Sequence, residues 1–322
     1  MSATGSACFA WAEQQLGYAG LTGPLRTSLV KRRAWSTVWK LENASGRFYL
    51  KEAAPRFDVE APLLEALCRW RPASIVELVA AETTRGWVLT HDAGRMLHDV
   101  MFDEPAKGRA HVAAILKAYA RLQADSQQRD APPFVGMLED RSPAAMVHSF
   151  AAVVADDVLL RAGGATADDG ARQSFWLHRA NQLCSDLAAL QMPCAIEHGD
   201  LHTSNIMIAG DGTPRIADWG DACWTTPLHG LVMCLDDIAG RHKIAPDDPW
   251  VAQLTHDYCD ILKLPDSATE RKRALDITRA LVPVSGVLQW SRGIDRMPPD
   301  ARVIMANQIL KHLRAFSFGS NL

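Results

Sequence analysis

His198-Gly199-Asp200-Leu201-His202-Thr203-Ser204-Asn205 reads H-G-D-x-x-x-x-N, and thirteen residues beyond Asn205 the chain continues Asp218-Trp219-Gly220. This set offers one carboxylate to receive a proton, and an amide and a second carboxylate to hold a metal. Phosphoryl transfer from a nucleotide needs those parts: a group that orients the acceptor hydroxyl, and oxygen ligands for Mg²⁺. Asp200 is the candidate base, able to take the hydroxyl proton as the bond to phosphorus forms. Asn205 and Asp218 are the candidate metal ligands, one neutral and one charged oxygen of the kind a hard cation prefers. Singly, an Asp or Asn before a short strand serves equally well as a turn or cap residue. All three together, with His198 and Gly199 beside them, point to chemistry. His198 belongs to the same catalytic loop and is read as its brace rather than as a proton shuttle. Two readings stand for His202: contact with the acceptor or the transferred phosphate, or a second brace.

The elements around these residues follow from periodicity. Ile206–Ala209 and Pro214–Ala217 flank Gly210-Asp211-Gly212, a hairpin signal that would return Asp218 to the side of Asn205. Upstream, residues 7–18 read as a short helix. Strand-like stretches follow at about 25–32, 38–41 and 47–51, the last two joined by the turn-rich 42–46. Leu63, Leu64, Leu67 and Trp70 place a helix over 58–70, and 75–80 and 87–90 read as two more strands around Thr84-Arg85-Gly86. The expectation is an antiparallel sheet of about five strands with one inserted helix. After Gly94 the pattern becomes helical, over 107–124, 143–162 and 171–191. It is helical again from 228 to 316, with breaks expected at Pro246/Pro249, Pro265, Pro283 and Pro298/Pro299. The polar segment 125–133 reads as a loop. The fold class is therefore α+β: a small β-rich lobe over 1–92 and a large, mainly helical lobe over 93–322.

The bulk numbers agree with this. The chain has 322 residues, 48% hydrophobic and 22% charged, as a globular protein does. Its formal net charge of −3 does not favour nucleic acid as a partner. The charge is uneven, +2 over 1–92 and −5 over 93–322. That split suits an anionic nucleotide in front and a polar or cationic acceptor behind, or is ordinary surface scatter. Seven cysteines without a C-x-x-C pair suggest neither a zinc site nor a disulfide framework, and fit reduced thiols in the cytoplasm. The first residues lack the basic start and apolar stretch of a signal peptide, and no apolar run approaches a membrane span.

HGDLHTSNIM followed by IADWGDA resembles the aminoglycoside phosphotransferase and choline kinase-like superfamily, relatives of the protein kinases, and the likeness extends over most of the chain. It implies a two-lobed protein-kinase-like fold. It also implies that Lys51, at the end of the third strand, binds nucleotide phosphates. A helix glutamate should pair with that lysine; Glu60 fits the E-x-x-x-L-x-x-L pattern, and Glu65 is the competitor. The pairing would fix the flexible lysine stem and keep it charged. The phosphate-covering loop corresponds to Arg33-Ala34-Trp35-Ser36-Thr37, which lacks glycine; Ser36 and Thr37 either donate to phosphate oxygens or form a plain turn. The connector 88–94, with Thr90 and His91, should present backbone groups to a purine. Such contacts do not separate ATP from GTP, and ATP is the default. His229 stands where many relatives carry an aspartate.

The implied activity is transfer of the γ-phosphate of ATP, with Mg²⁺, to a hydroxyl of a small molecule: an antibiotic such as an aminoglycoside, a sugar or an amino alcohol. Candidate acceptor residues are Trp224, Asp236, Asp237, Trp290 and Arg292, with Asp247-Asp248 serving either as further acids or as a helix cap. An alternative reading is a kinase-shaped nucleotide-binding protein without turnover. Such proteins usually lose the lysine, the base or the metal aspartate, and this chain keeps all three. A protein kinase is disfavoured by the missing glycine-rich loop and activation segment.

Overall fold

Alternation along the early strands decides which residues face a core and which face away. In the computed structural model, which describes residues 3–54, 57, 59–127, 135–264 and 267–318, the strands are Arg26–Arg32 (β1), Ser36–Asn43 (β2), Gly46–Ala53 (β3), Leu78–Glu82 (β4), Trp87–His91 (β5), Arg95–Met96 (β6), Glu139–Asp140 (β7), Ala195–Glu197 (β8), Ile206–Ile208 (β9), Pro214–Ile216 (β10) and Cys223–Thr225 (β11). The helices are Ala3–Tyr18 (α1), Glu60–Trp70 (α2), Leu97–Asp103 (α3), Pro105–Ser126 (α4), Pro143–Val154 (α5), Asp157–Ala162 (α6), Ala167–Ala171 (α7), Gln173–Ala188 (α8), His229–His242 (α9), Pro249–Ile261 (α10), Ala268–Ser291 (α11) and Pro299–Phe318 (α12). The fold is α+β and protein-kinase-like, an antiparallel sheet followed by a mostly helical remainder.

The chain forms two compact units, Met1–Ile115 with Ser204–Gly220, and Leu116–Thr203 with Asp221–Leu322. This division falls differently from the 92/93 boundary read along the sequence. The reason is β6, which pairs with β9 and keeps the hairpin 206–216 with the first unit.

In the first unit β1 to β5 form one antiparallel sheet in the order β1-β2-β3-β5-β4. On one face Leu41, Phe48, Leu50, Trp87 and Leu89 close over Cys8, Ala12 and Leu16 of α1. Phe9 meets Trp39 edge-on, with ring centroids 5.1 Å apart. Because Leu50 is turned toward α1, its neighbour Lys51 is turned to the opposite face. The strand expected over 75–80 is β4, displaced to 78–82; Ile75 instead bridges to Ile216, whose carbonyl also accepts the Val76 N–H at 3.2 Å. Ser36 and Thr37, expected in the phosphate-covering loop, are the first residues of β2, opposite Ala53 and Glu52 of β3. The loop contracts to 33–35, because the Arg33 N–H bonds the Ser36 carbonyl at 2.8 Å and closes the turn early.

The second unit is a helical assembly around a three-stranded sheet, β7-β11-β8, parallel between β7 and β11 and antiparallel between β11 and β8. Fully buried Trp176 on α8 donates its indole N–H to Ser317 at 2.7 Å. The helix expected over 143–162 is two helices, α5 and α6, divided where Asp156 caps α6 through the Leu159 N–H at 2.9 Å. Pro283, expected to break a helix, lies buried inside the 24-residue α11. Packing of α11 on its neighbours overrides the local penalty of a missing N–H. The loop expected at 125–133 begins after Ser126, and 128–133 lie outside the described residues, as does Pro265.

Candidate functional site

The first unit gathers three of the chemistry-bearing side chains. Glu60 opens α2 on its buried face, in line with Leu63, Leu64 and Leu67, and is only 2% exposed. Lys51 Nζ donates to Glu60 Oε1 at 2.8 Å, and lies 2.7 Å from Oε2. The same ammonium meets Asp218 Oδ1 at 2.6 Å. Glu65, the competing partner, instead pairs with Arg69 one turn along the helix. Burial alone would lower the Lys51 pKa, but Asp218 first and Glu60 second outweigh it and the net shift is upward. Lys51 is therefore a permanent cation held from two sides. Asp218 is half exposed and takes a left-handed backbone, φ 61°. A non-glycine residue pays for that conformation, and here it lies directly before buried Trp219.

Asn205 and Asp218 stand at the two ends of one hairpin. Ile206 pairs with Ile216, and the Asn205 carbonyl accepts the Ala217 N–H at 2.8 Å. The carboxylate of Asp218 and the amide of Asn205 are hard oxygen donors near adjacent strand ends, a donor set of the type that fits a hard divalent cation. Thr90 and His91 belong to β5. The His91 N–H bonds the Glu77 carbonyl at 2.9 Å, the Asp92 N–H bonds Arg47 at 3.0 Å, and the His91 ring lies against Phe48. These two N–H groups thus serve the unit's own fold.

The second unit holds the Asp200 loop. His198 is fully buried, and its Nδ1 accepts the Asp200 N–H at 3.2 Å. That bond makes His198 an orienting residue for Asp200. Gly199 has φ 82°, and a Cβ there would collide with the Asp221 carbonyl, so only glycine fits between His198 and Asp200. His202 Nε2 stands 3.5 Å from Asp200 Oδ2. Burial would lower the His202 pKa, but the bond to Asp200 and the charges of Asp200 and Asp237 win, and the net shift is upward. Asp200 is thereby flanked by a ring inclined to be protonated.

Thr203 closes the loop: its N–H and hydroxyl donate to Asp237 at 2.9 and 2.6 Å, and Asp237 is itself paired with Arg241 at 2.7 Å. Asp237, considered as an acceptor contact, is an anchor of this loop. Asp236 pairs with Arg279 at 3.1 Å, Arg292 lies 3.7 Å from Asp221, and Asp248 caps α10 through the Trp250 N–H. Trp224 is half-buried in β11 beside Asp140, and Trp290 lies near the end of α11.

His229 opens α9 and bonds the Gly199 backbone, so it helps to hold the loop. Burial, then the charge of Arg141, lowers its pKa to about 4; burial, then Lys311, does the same to His312. Both rings are neutral in the fold but titrate near 6.5 when unfolded. Each therefore contributes stability that is fully present above pH ~6.5 and is lost as the pH falls toward 4, up to about 3 kcal/mol per ring. The expected result is a melting temperature that declines between pH 6.5 and 5, before most carboxylates titrate, with a shallower decline in His229→Gln. Parallel profiles for the two proteins would show that folding does not lower the pKa of this ring.

The comparisons place this geometry in a family. The model of the phosphotransferase enzyme family matches residues 30–275, and the chain belongs to that family. No curated protein sequence is significantly similar to it. Among solved structures, choline kinase LicA from Streptococcus pneumoniae is similar with a TM-score of 0.60 at 12% identity, over 95% of this chain and 99% of that one. A choline/ethanolamine kinase family protein from Mesorhizobium loti gives 0.59 at 15% identity, over 97% and 100%. Macrolide 2'-phosphotransferase type I gives 0.56 at 14% identity, over 94% and 97%. At these identities the likeness is one of fold. Among the described residues, no helix is long and apolar enough to cross a membrane.

Proposed function

We propose that this phosphotransferase moves the γ-phosphate of ATP to a hydroxyl group of a small molecule. The observation that carries the reading is the Lys51 ammonium held by Glu60 at 2.7–2.8 Å and by Asp218 at 2.6 Å. A cation fixed on a buried carboxylate, beside a half-exposed acid, suits nucleotide phosphates and their counter-ion.

In this reading Lys51 binds phosphate oxygens and Glu60 keeps its stem from collapsing. Asp218 and Asn205 are the ligands for Mg²⁺, which when bound would neutralise charge developing on the phosphates. Asp200 orients the acceptor hydroxyl and takes its proton as the oxygen–phosphorus bond forms. His198 holds the Asp200 backbone, and His202 restrains one carboxylate oxygen while the other faces the acceptor. Ser36 and Thr37, at the start of β2, are candidate donors to the phosphates, and Thr90 and His91 mark the strand beside the purine. The division of charge along the chain favours an acceptor carrying amino groups, such as an aminoglycoside or amino alcohol. The cytoplasm, where ATP is abundant, is the fitting compartment.

The test offers purified protein ATP and Mg²⁺ with a panel of aminoglycosides, other hydroxylated antibiotics, sugars and amino alcohols, and reads products by mass. A gain of one phosphoryl group on an alcohol is expected. Tight nucleotide binding with no transfer to any acceptor would replace this reading with a binding protein.

A further inference from the structure

Glu197, directly before His198, is fully buried at the end of β8. None of the ion pairs among the described residues involves it. What meets it instead is a closed set of donors. Tyr119 donates its hydroxyl to Oε1 at 2.6 Å, and the His198 N–H donates to the same oxygen at 2.9 Å. Gln123 donates to Oε2 at 3.1 Å and to the Ile196 carbonyl at 3.0 Å. The Gly230 N–H, in the first turn of the 14-residue α9, is a further donor. Tyr258 completes the set by donating to the Gln123 carbonyl oxygen.

The network has a direction. Tyr119 has one hydroxyl proton and spends it on Glu197, so its oxygen is left to accept the His198 N–H at 2.7 Å. Gln123 uses both amide protons on Ile196 and Glu197. Tyr119, Gln123 and the N–H groups of His198 and Gly230 are thus all donors aimed at the carboxylate, and the N-terminal end of α9 adds a favourable dipole. Burial pushes the Glu197 pKa up, and these bonds reduce that shift without reversing it. Gly230 belongs to the design: a Cβ there would stand 2.6 Å from Oε1. An apolar residue would fill this position without losing hydration. The carboxylate instead sets the His198 N–H, and the His198 ring sets the Asp200 N–H.

We propose that Glu197 is the positioning residue of the Asp200 loop: its carboxylate fixes the backbone at His198, and through the His198 ring it sets where the Asp200 carboxylate stands. Its catalytic consequence rests on the phosphoryl-transfer reading above. Glu197→Gln keeps the shape and removes the charge, turning one acceptor into a donor that faces other donors. Displacement of the loop by a fraction of an ångström is then expected to lower kcat by about 10- to 100-fold, with both KM values within about two-fold of the unmodified protein. Tyr119→Phe, which removes a single hydroxyl and is the milder change if Glu197→Gln folds poorly, should move kcat in the same direction by a smaller factor.

Amide hydrogen exchange supplies a readout independent of turnover. In both variants the amides of 198–202 should exchange faster while the rest of the protein is unchanged. A folded Glu197→Gln protein with unaltered kcat and unaltered exchange at 198–202 would overturn the proposal. So would a loss of kcat that merely follows the folded fraction, with exchange raised throughout the chain. If the unmodified protein transfers phosphate to nothing, the functional reading falls and exchange alone decides whether Glu197 positions the loop.

Discussion

Asp200→Asn is expected to lower kcat by about 10²- to 10⁴-fold, the range that a positioned acid or base contributes. The side chain is about one-third exposed, and His202 lies 3.5 Å from its carboxylate. The Asp200 N–H, which holds it to His198, survives the substitution. The melting temperature should therefore stay near that of the unmodified protein, since exposed substitutions typically change stability by about 0.5 kcal/mol or less. Nucleotide KM should stay as well, because in the proposed function Asp200 acts on the acceptor. Asp218→Ala should differ in kind: transfer is abolished, and binding of the Mg²⁺-nucleotide weakens too. Measuring kcat and nucleotide affinity on the two purified variants separates the roles. Near-normal turnover in Asp200→Asn would remove the base from the mechanism.

Lys51→Ala should produce the largest combined effect on stability and nucleotide use. It strips the cation from Glu60, which is 2% exposed and lies at the start of a buried helix face. An uncompensated buried carboxylate costs about 3–5 kcal/mol, partly relieved by its taking up a proton. Loss of a charged hydrogen bond to phosphate should also raise the nucleotide KM by about 10- to 100-fold. The double variant Lys51→Ala/Glu60→Ala distinguishes the two contributions. It should recover much of the lost stability in a thermal melt while nucleotide use stays impaired. Recovery of nucleotide KM in the double variant would show that Lys51 serves the fold alone.

Much of this site was legible before any coordinates. The interval between Asp200 and Asn205 is covalent, and the hairpin 206–216 announces itself through Gly210-Asp211-Gly212, so the return of Asp218 to Asn205 followed from local rules. The resemblance put Lys51 at the end of the third strand, and the alternation along β3 turns it to the face opposite Leu50. Other elements were misjudged where tertiary packing outweighed local preference. Pro283 sits inside α11, and the strand over 75–80 is displaced because Ile75 is drawn to Ile216. Ser36 and Thr37 joined β2 because a single turn bond at Arg33 shortened the loop.

The sequence by itself determined the roster of candidate groups and their order, since both depend on residue type, spacing and strand or helix period. For the acid that holds Lys51 it favoured Glu60 by pattern, with Glu65 as competitor, and supplied no contact to decide between them. Glu60 and Glu65 lie on one helix about 140° apart, and only docking against the sheet buried one and left the other partly exposed. Asp237 bonding Thr203 across 34 positions, and Tyr119 bonding Glu197 across 78, were likewise invisible. A carboxylate becomes an anchor when water is excluded and donors from distant segments replace it. Sequence spacing carries no record of that event, and the folded chain alone brings it about.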